Sequence, residues 1–279
     1  MSFLTRFARQ WIAGETLDDA IARAKKENNA GIRAIINFLG EHVKDEAEAD
    51  NNVEENLRIL RAIEESKAKA SLSIKLTQLG LDIDKNLCLS KVEKIVSTAA
   101  SKNIFVWIDM ENSPYTQDTI GIYLDISKKY KNAGIVIQAN LKRSEGDVAI
   151  IVASAGIIRL VKGAYMERVE IAHTSRSDIT RNFSKLMAYL FYKSPFFAIA
   201  THDDRLINEA IEVNKTHQKI IEFQMLMGVR DELKRKLVKG GFTVVDYIPY
   251  GKNWFPYTTR RVRERKRNIL LIVRSVFDI

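Results

Sequence analysis

The segment YTTRRVRERKR, residues 257–267, places six basic residues and one acid in its last eight positions. Two chemistries suit such a cluster: neutralising a polyanion, or holding one small anion with forked arginines in an enclosed site. Spacing separates them. At 100° per residue on a helix, Arg260, Glu264 and Arg267 share one face while the other bases spread around the axis. A nucleic-acid stripe keeps its bases on one side. The pattern aims two or three residues at a pocket and leaves the rest to solvent, so no nucleic-acid partner is expected.

A second set of chemistry-bearing residues recurs at the ends of short apolar runs: Lys75, Asp109 and Glu111, Gln138, Arg159 and Lys162, Thr201 and His202, Glu222 and Gln224, Asp246 and Tyr247. Polar groups at such positions need a reason, and a lined pocket supplies it. Within SLSIKLT, residues 71–77, alternation puts Ser73, Lys75 and Thr77 on one face. Lys75 then requires a carboxylate, because an unpaired buried ammonium is costly. Asp109 is one candidate. The histidines at 42, 173, 202 and 217 have no metal-ligand spacing, so no metal is expected. Only His202 ends an apolar run.

The elements that must position these residues follow a rhythm. Strand-like runs occur at 33–40, 71–77, 104–111, 134–141, 157–165, 196–203, 220–226 and 242–250. Helical patterns such as KVEKIVSTAAS, TIGIYLDISKKYKNA and RDELKRKLVKG separate the later runs. A repeat of roughly thirty residues is the length of a strand–helix unit. Eight such strands predict a (β/α)8 barrel of the α/β class. No G-x-G-x-x-G or G-x-x-x-x-G-K-[ST] motif occurs, which disfavours the open dinucleotide fold and the P-loop. Ahead of the barrel a helix is predicted over 16–28, behind a Thr16/Asp19 capping box, and another is predicted over 46–66 after the first strand. Residues 1–30 read as an N-terminal helical arm and 31–279 as the barrel domain.

A net charge of +9 admits an anionic ligand. Cys88 is the only cysteine, and no apolar run of about 18 residues appears, which together suggest a cytoplasmic protein. The opening MSFLTRFARQWI gathers Phe3, Leu4, Phe7 and Trp11 near one helical face. It reads as an arm packed on the body, with peripheral membrane contact as the second reading.

The motifs in order resemble one family, proline dehydrogenase, a flavin-dependent barrel that oxidises L-proline. The matching pieces are IKLTQLG, IDME, GIVIQANL, RLVKGAY, ATHD, EFQML and YIPYGKNWFPYTTRR, from about residue 71 to residue 261, and FLGE at 38–41 also fits. The resemblance implies a distorted barrel with its last helix over the mouth. It implies that Arg260 and Arg261, assisted by Lys75, hold the substrate carboxylate, that Tyr247 and Tyr257 pack around the pyrrolidine ring, and that Asp109 fixes Tyr247 or Lys75. FAD is implied to contact Gln138, Arg159, Val161, Lys162, Gly163, Ala164, Tyr165, Thr201 and His202. Arg159 would lie near the reactive N5 edge, Lys162 nearer the pyrophosphate, and Glu264 would touch a flavin hydroxyl or orient an arginine. Hydride transfer from proline C5 would yield Δ1-pyrroline-5-carboxylate, with electrons passing to a quinone or another acceptor. Oxidation of another amino or imino acid is the alternative. Met227 stands where many relatives carry an aromatic residue, which bears on that side of the pocket.

Overall fold

The computed structural model describes residues 10–261. Residues 1–9, the larger part of the opening stretch read as a packed arm or a membrane contact, and residues 262–279, with Glu264 and the RERKR run, lie outside the described residues.

Runs rich in β-branched residues form eight strands: β1 (Arg33–Phe38), β2 (Ala70–Ile74), β3 (Val106–Ile108), β4 (Ala133–Gln138), β5 (Ile158–Val161), β6 (Phe196–Ala200), β7 (Ile220–Leu226) and β8 (Thr243–Tyr250). All pair in parallel in chain order, and β8 pairs back to β1 from Arg33↔Val245 to Phe38↔Tyr250, so the barrel closes. Such strands are buried on both faces, as β4 shows by having no exposed residue.

Helices cover the outside: α1 (Leu17–Asn29), α2 (Glu46–Ser66), α3 (Lys85–Ser101), α4 (Thr116–Lys129), α5 (Ser144–Ala153), α6 (Arg176–Lys193), α7 (Asp204–His217) and α8 (Asp231–Lys239). Residues 254–261 are also helical and form α9. The capping box of α1 is present, with the Thr16 side chain accepting from Asp19 N–H and the Asp19 side chain accepting from Thr16 N–H. The apolar spacing Leu17, Ala20, Ile21 and Ala24 gives a stripe of which Leu17, Ala20 and Ala24 are buried and Ile21 is half-buried. α2 spans the predicted residues, capped by the Asp45 carboxylate.

Apolar packing falls into three regions. The largest lies between strands and helices. A second fills the barrel interior with Ile35, Trp107, Ala198 and Val245, making the lumen a packed core rather than a pore. A third joins the first and last described segments: Trp11 and Ile12 pack with Leu39 and with Tyr257 of α9. At that junction Gly228 has φ +69°, and a Cβ there would meet the Gln10 carbonyl oxygen at 1.8 Å.

Several strands are shorter than the sequence runs. Asp109, Lys162 and Thr201 all follow the last residue of their strand. The alternation that placed Ser73, Lys75 and Thr77 on one face also ends early: β2 stops at Ile74, and Thr77 opens a 3-10 turn. The apolar runs continue past the ladders because the rim loops are themselves buried.

Candidate active site

A cavity of about 750 Å³ opens at the C-terminal ends of the strands, within the size range of cofactor sites, about 300–1,000 Å³. Its floor is a polar network above Trp107. The Asp109 Oδ1 accepts from Ser73 Oγ at 2.7 Å and pairs with the Arg159 guanidinium, while Oδ2 accepts from the Tyr247 hydroxyl at 2.7 Å. Arg159 also donates to Gln224 Oε1 at 3.2 Å, and its guanidinium lies 5.2 Å from the Trp107 ring centre. Four strands thus converge on one carboxylate: β2 through Ser73, β5 through Arg159, β8 through Tyr247, and β3 through Asp109, whose N–H continues the ladder to the Ile74 carbonyl.

Electrostatics follow from this geometry. Burial opposes the Asp109 charge, but Arg159, then Lys75 and the hydrogen bonds from Tyr247 and Ser73, hold its carboxyl below the usual range. Lys75 Nζ lies 3.6 Å from Asp109 Oδ2 and 3.5 Å from Glu41 Oε1. Burial disfavours the ammonium, yet the surrounding oxygens of Tyr165, Asp109, Tyr247 and Glu41 raise its pKa well above normal. The Tyr247 phenol is pushed up by burial and by Asp109, so it stays a donor.

The roof is α9. Arg260 is held bidentately by Glu41, with Nη1 donating to Oε2 at 3.1 Å and Nη2 to Oε1 at 2.7 Å. Its guanidinium lies 5.9 Å from the Tyr165 ring centre, and Arg261 lies 5.3 Å from that of Tyr257. Glu41 is the residue that reading by periodicity missed. It sits in the loop after β1, within the FLGE stretch, where no alternation gives a direction. Burial opposes its charge, but Lys75 and Arg260 lower its pKa.

The long wall comes from β4, β5 and β6. Gln138 donates to the Glu111 carbonyl at 2.9 Å. Val161, Lys162, Gly163, Ala164 and Tyr165 run along the cavity, with Gly163 at φ +107°. A Cβ on Gly163 would strike the Asn140 amide oxygen at 2.1 Å, and that buried oxygen has no hydrogen-bond partner among the described residues. Lys162 Nζ pairs with Asp203 at 2.5 Å and Thr180 at 3.1 Å. Thr201 accepts from Asp203 N–H at 3.2 Å. His202 Nε2 accepts from Leu226 N–H at 3.0 Å. Burial, then the charges of Lys234, Arg261 and Arg230, lower its pKa to about 3. A cavity of this size with a backbone strip free of side chain at Gly163, a buried amide oxygen without a partner among the described residues, and cations at floor and wall fits a dinucleotide carrying a flat ring system.

The sequence-selected residues within the described part all line this one cavity: Lys75, Asp109, Tyr247, Tyr257, Arg260 and Arg261 together with Gln138, Arg159, the 161–165 strip, Thr201 and His202. Three other polar strand-end residues do not. Glu111 turns away to accept from Thr77 N–H and Oγ1 at 3.0 and 2.6 Å. Asp246 points out of the barrel to Lys234 at 2.5 Å. Glu222 accepts from Gln224 at 2.6 Å, below the cavity. The Met227 side chain joins the core, and its N–H bonds the Tyr247 carbonyl at 3.0 Å, so it leaves the cavity wall unchanged.

Comparison with known proteins agrees with this geometry. The family profile described as proline dehydrogenase matches residues 20–269. "Proline dehydrogenase 1" of Bacillus subtilis (strain 168) is 35% identical over 272 residues, covering 96% of this chain and 90% of that protein. "Proline dehydrogenase" of Deinococcus radiodurans is 29% identical over 277 residues, covering 96% and 89%. The crystal structure of proline utilization A (PutA) from Bdellovibrio bacteriovorus, inactivated by N-propargylglycine, superposes with a TM-score of 0.86 at 24% identity. That match covers 92% of this chain and 32% of the larger protein, and it shows a shared fold. With a profile that spans most of its length and relatives matched almost end to end, the chain belongs to the proline dehydrogenase family of oxidoreductases.

Proposed function

We propose that the cavity binds FAD along the 161–165 strip and oxidises L-proline to Δ1-pyrroline-5-carboxylate, the first step of proline catabolism. When bound, FAD supplies the hydride acceptor for proline C5 and passes the electrons to a quinone or another acceptor. The observation that carries this reading is the division of cations between two levels of one cavity.

At the roof, Arg260 already holds a carboxylate in fork geometry, that of Glu41. A substrate carboxylate would take the same fork, with Arg261 and Lys75 completing its neutralisation. Tyr257 and Tyr247 then enclose the apolar ring. At the floor, Arg159 is locked by Asp109 and Gln224, and its fixed positive charge would favour a bound ring system that gains electrons. Lys162 and the wall around His202 would serve the phosphate and ribose end. The chain's task is orientation: it anchors the carboxylate at one end so that C5 faces the acceptor. The proline amine must arrive unprotonated, and the depressed Asp109 carboxyl and elevated Tyr247 phenol are unsuited to removing its proton, so the reading predicts solvent as the proton's destination. Among the described residues no helix is long and apolar enough to cross a membrane; the proposal places the enzyme in the cytoplasm, with residues 1–9 as a candidate contact with the membrane surface.

The test is spectroscopic. The purified protein, supplied with FAD, should turn yellow, and anaerobic L-proline should bleach the flavin band. A preparation that stays colourless with added FAD overturns the flavin assignment. A yellow protein that proline leaves unbleached, while another amino or imino acid bleaches it, overturns the substrate.

A further inference from the structure

Lys234 lies on α8, outside the cavity lining, and only 1% of its side chain is exposed. Its ammonium uses all three donors: Asp246 Oδ1 at 2.5 Å, Asp231 Oδ1 at 2.8 Å and the Leu226 carbonyl at 2.9 Å. Two carboxylates would be enough to neutralise a buried lysine. The third bond goes to the backbone of the cavity wall, since Leu226 ends β7 and lines the site.

Leu226 is held from both sides. Its carbonyl accepts from Lys234, and its N–H donates to His202 Nε2 at 3.0 Å. The same loop grips the His202 backbone, where Arg230 donates to the His202 carbonyl at 3.0 Å while paired at 2.7 Å to each Asp204 carboxylate oxygen. Because Nε2 accepts a hydrogen bond, the neutral ring must carry its proton on Nδ1. Among the described residues no group accepts from Nδ1, and the ring lines the cavity.

We propose that Lys234 is a positioning residue for the active site: by fixing the Leu226 carbonyl it holds the Leu226 N–H on His202 Nε2, and so keeps His202 as the Nδ1–H tautomer, a hydrogen-bond donor to an acceptor atom of the bound cofactor. The tautomer is a property of the protein alone. Its use toward FAD rests on the function proposed above. A ring with the opposite tautomer would present a lone pair where the acceptor lies, so the lysine acts through one backbone residue on the polarity of the cavity wall.

The experiment is nitrogen-15 NMR of the imidazoles in the purified FAD-loaded protein, with His202 assigned by loss of its signals in His202→Asn. The wild-type protein should show His202 as the pure Nδ1–H form. An Nε2–H pattern in the wild-type protein overturns the proposal without any Lys234 variant. The informative variant is the double substitution Lys234→Met with Asp246→Asn, which removes the bond to Leu226 without stranding a buried charge. It should give mixed tautomers and an FAD Kd raised roughly 3–10-fold, the worth of about one hydrogen bond. A variant that keeps the pure Nδ1–H form and the wild-type Kd shows that Lys234 serves only the fold. A tautomer shift in a protein that never takes up FAD upholds the positioning role and overturns the flavin reading instead.

Discussion

At the floor of the cavity, Asp109 accepts from Ser73 and Tyr247 and pairs with Arg159, each partner on a different barrel strand. At the roof, Glu41 holds Arg260, but the two residues come from a loop and from a helix after the last strand. The floor pair is buried against the packed lumen. The roof pair is part-exposed, with side-chain exposures of 17% for Glu41 and 24% for Arg260. Among the described residues the roof packs on the barrel through the small cluster of Trp11, Ile12, Leu39 and Tyr257. The same chemistry, an arginine on a carboxylate, therefore serves two ends. In the floor it makes a fixed charge that no ligand can displace. In the roof, on the proposed function, it makes an exchangeable one, where a substrate carboxylate would compete with the internal carboxylate of Glu41.

Breaking the floor should have the largest effect. Asp109→Ala leaves Arg159 buried without its carboxylate and weakens the hold on Lys75 and Tyr247. Removing one partner of a buried ion pair costs about 3–5 kcal/mol, which urea unfolding should register together with near-complete loss of proline oxidation. A loss below about 1 kcal/mol would show that the floor is no more rigid than the roof.

Breaking the roof should spare the fold and damage binding. Arg261→Ala removes one cation from the proposed carboxylate site, and hydrogen bonds to charged groups contribute about 1.5–3 kcal/mol. The KM for proline should rise roughly 10–150-fold while flavin content per chain stays at the wild-type level. Loss of flavin with an unchanged KM would move Arg261 from the substrate to the cofactor.

The floor and the roof also differed in how legibly the sequence announced them. β7 was readable to the residue because its apolar run coincides with its ladder, Ile220–Leu226. The eightfold rhythm and the α2 boundaries were legible for the same reason, since burial and hydrogen bonding end together there. The polar rim residues were legible as a set, because a parallel strand has no solvent face to excuse them. Their directions were not. Asp246 and Tyr247 are adjacent in β8 and must point to opposite faces, yet both faces are buried and composition cannot tell lumen from helix layer. Only the partners decide it: Lys234 outside, Asp109 inside. Glu41 was hidden for another reason. It lies 219 positions from Arg260, in a loop with no period. Lys234 was read only as part of the helical pattern RDELKRKLVKG, because its bond to Leu226 runs to a backbone atom.

Glu41→Gln sharpens the comparison at smaller scale. Glutamine keeps one acceptor for Arg260 but removes the charge, so a substrate carboxylate meets a weaker competitor. Exchangeable ion pairs of this kind are worth about 0.2–1 kcal/mol, and the KM for proline should fall about 1.5–5-fold. A KM that rises instead would mean that Glu41 orients Arg260 for the substrate.

The smallest effect is the acid stability of the two carboxylates. Both Glu41 and Asp109 have folded-state pKa values below their ordinary ones, against the opposing effect of burial. Unfolded, such groups titrate at about 4.3 and 3.9. Between the folded and unfolded values the unfolded chain binds more protons, so stability rises with pH across that window. Their contribution is complete above the unfolded pKa and is lost as pH falls through the folded one. Thermal unfolding followed downward from about pH 5 should therefore lose stability in the wild-type protein, each kcal/mol lowering Tm by about 2–4 °C. Glu41→Gln should flatten this acid limb slightly, because only the roof's share is removed and the floor still titrates. An acid limb of unchanged slope would mean that Glu41 gains nothing from Arg260 in the folded state, and the roof's fork would then be open to substrate without competition.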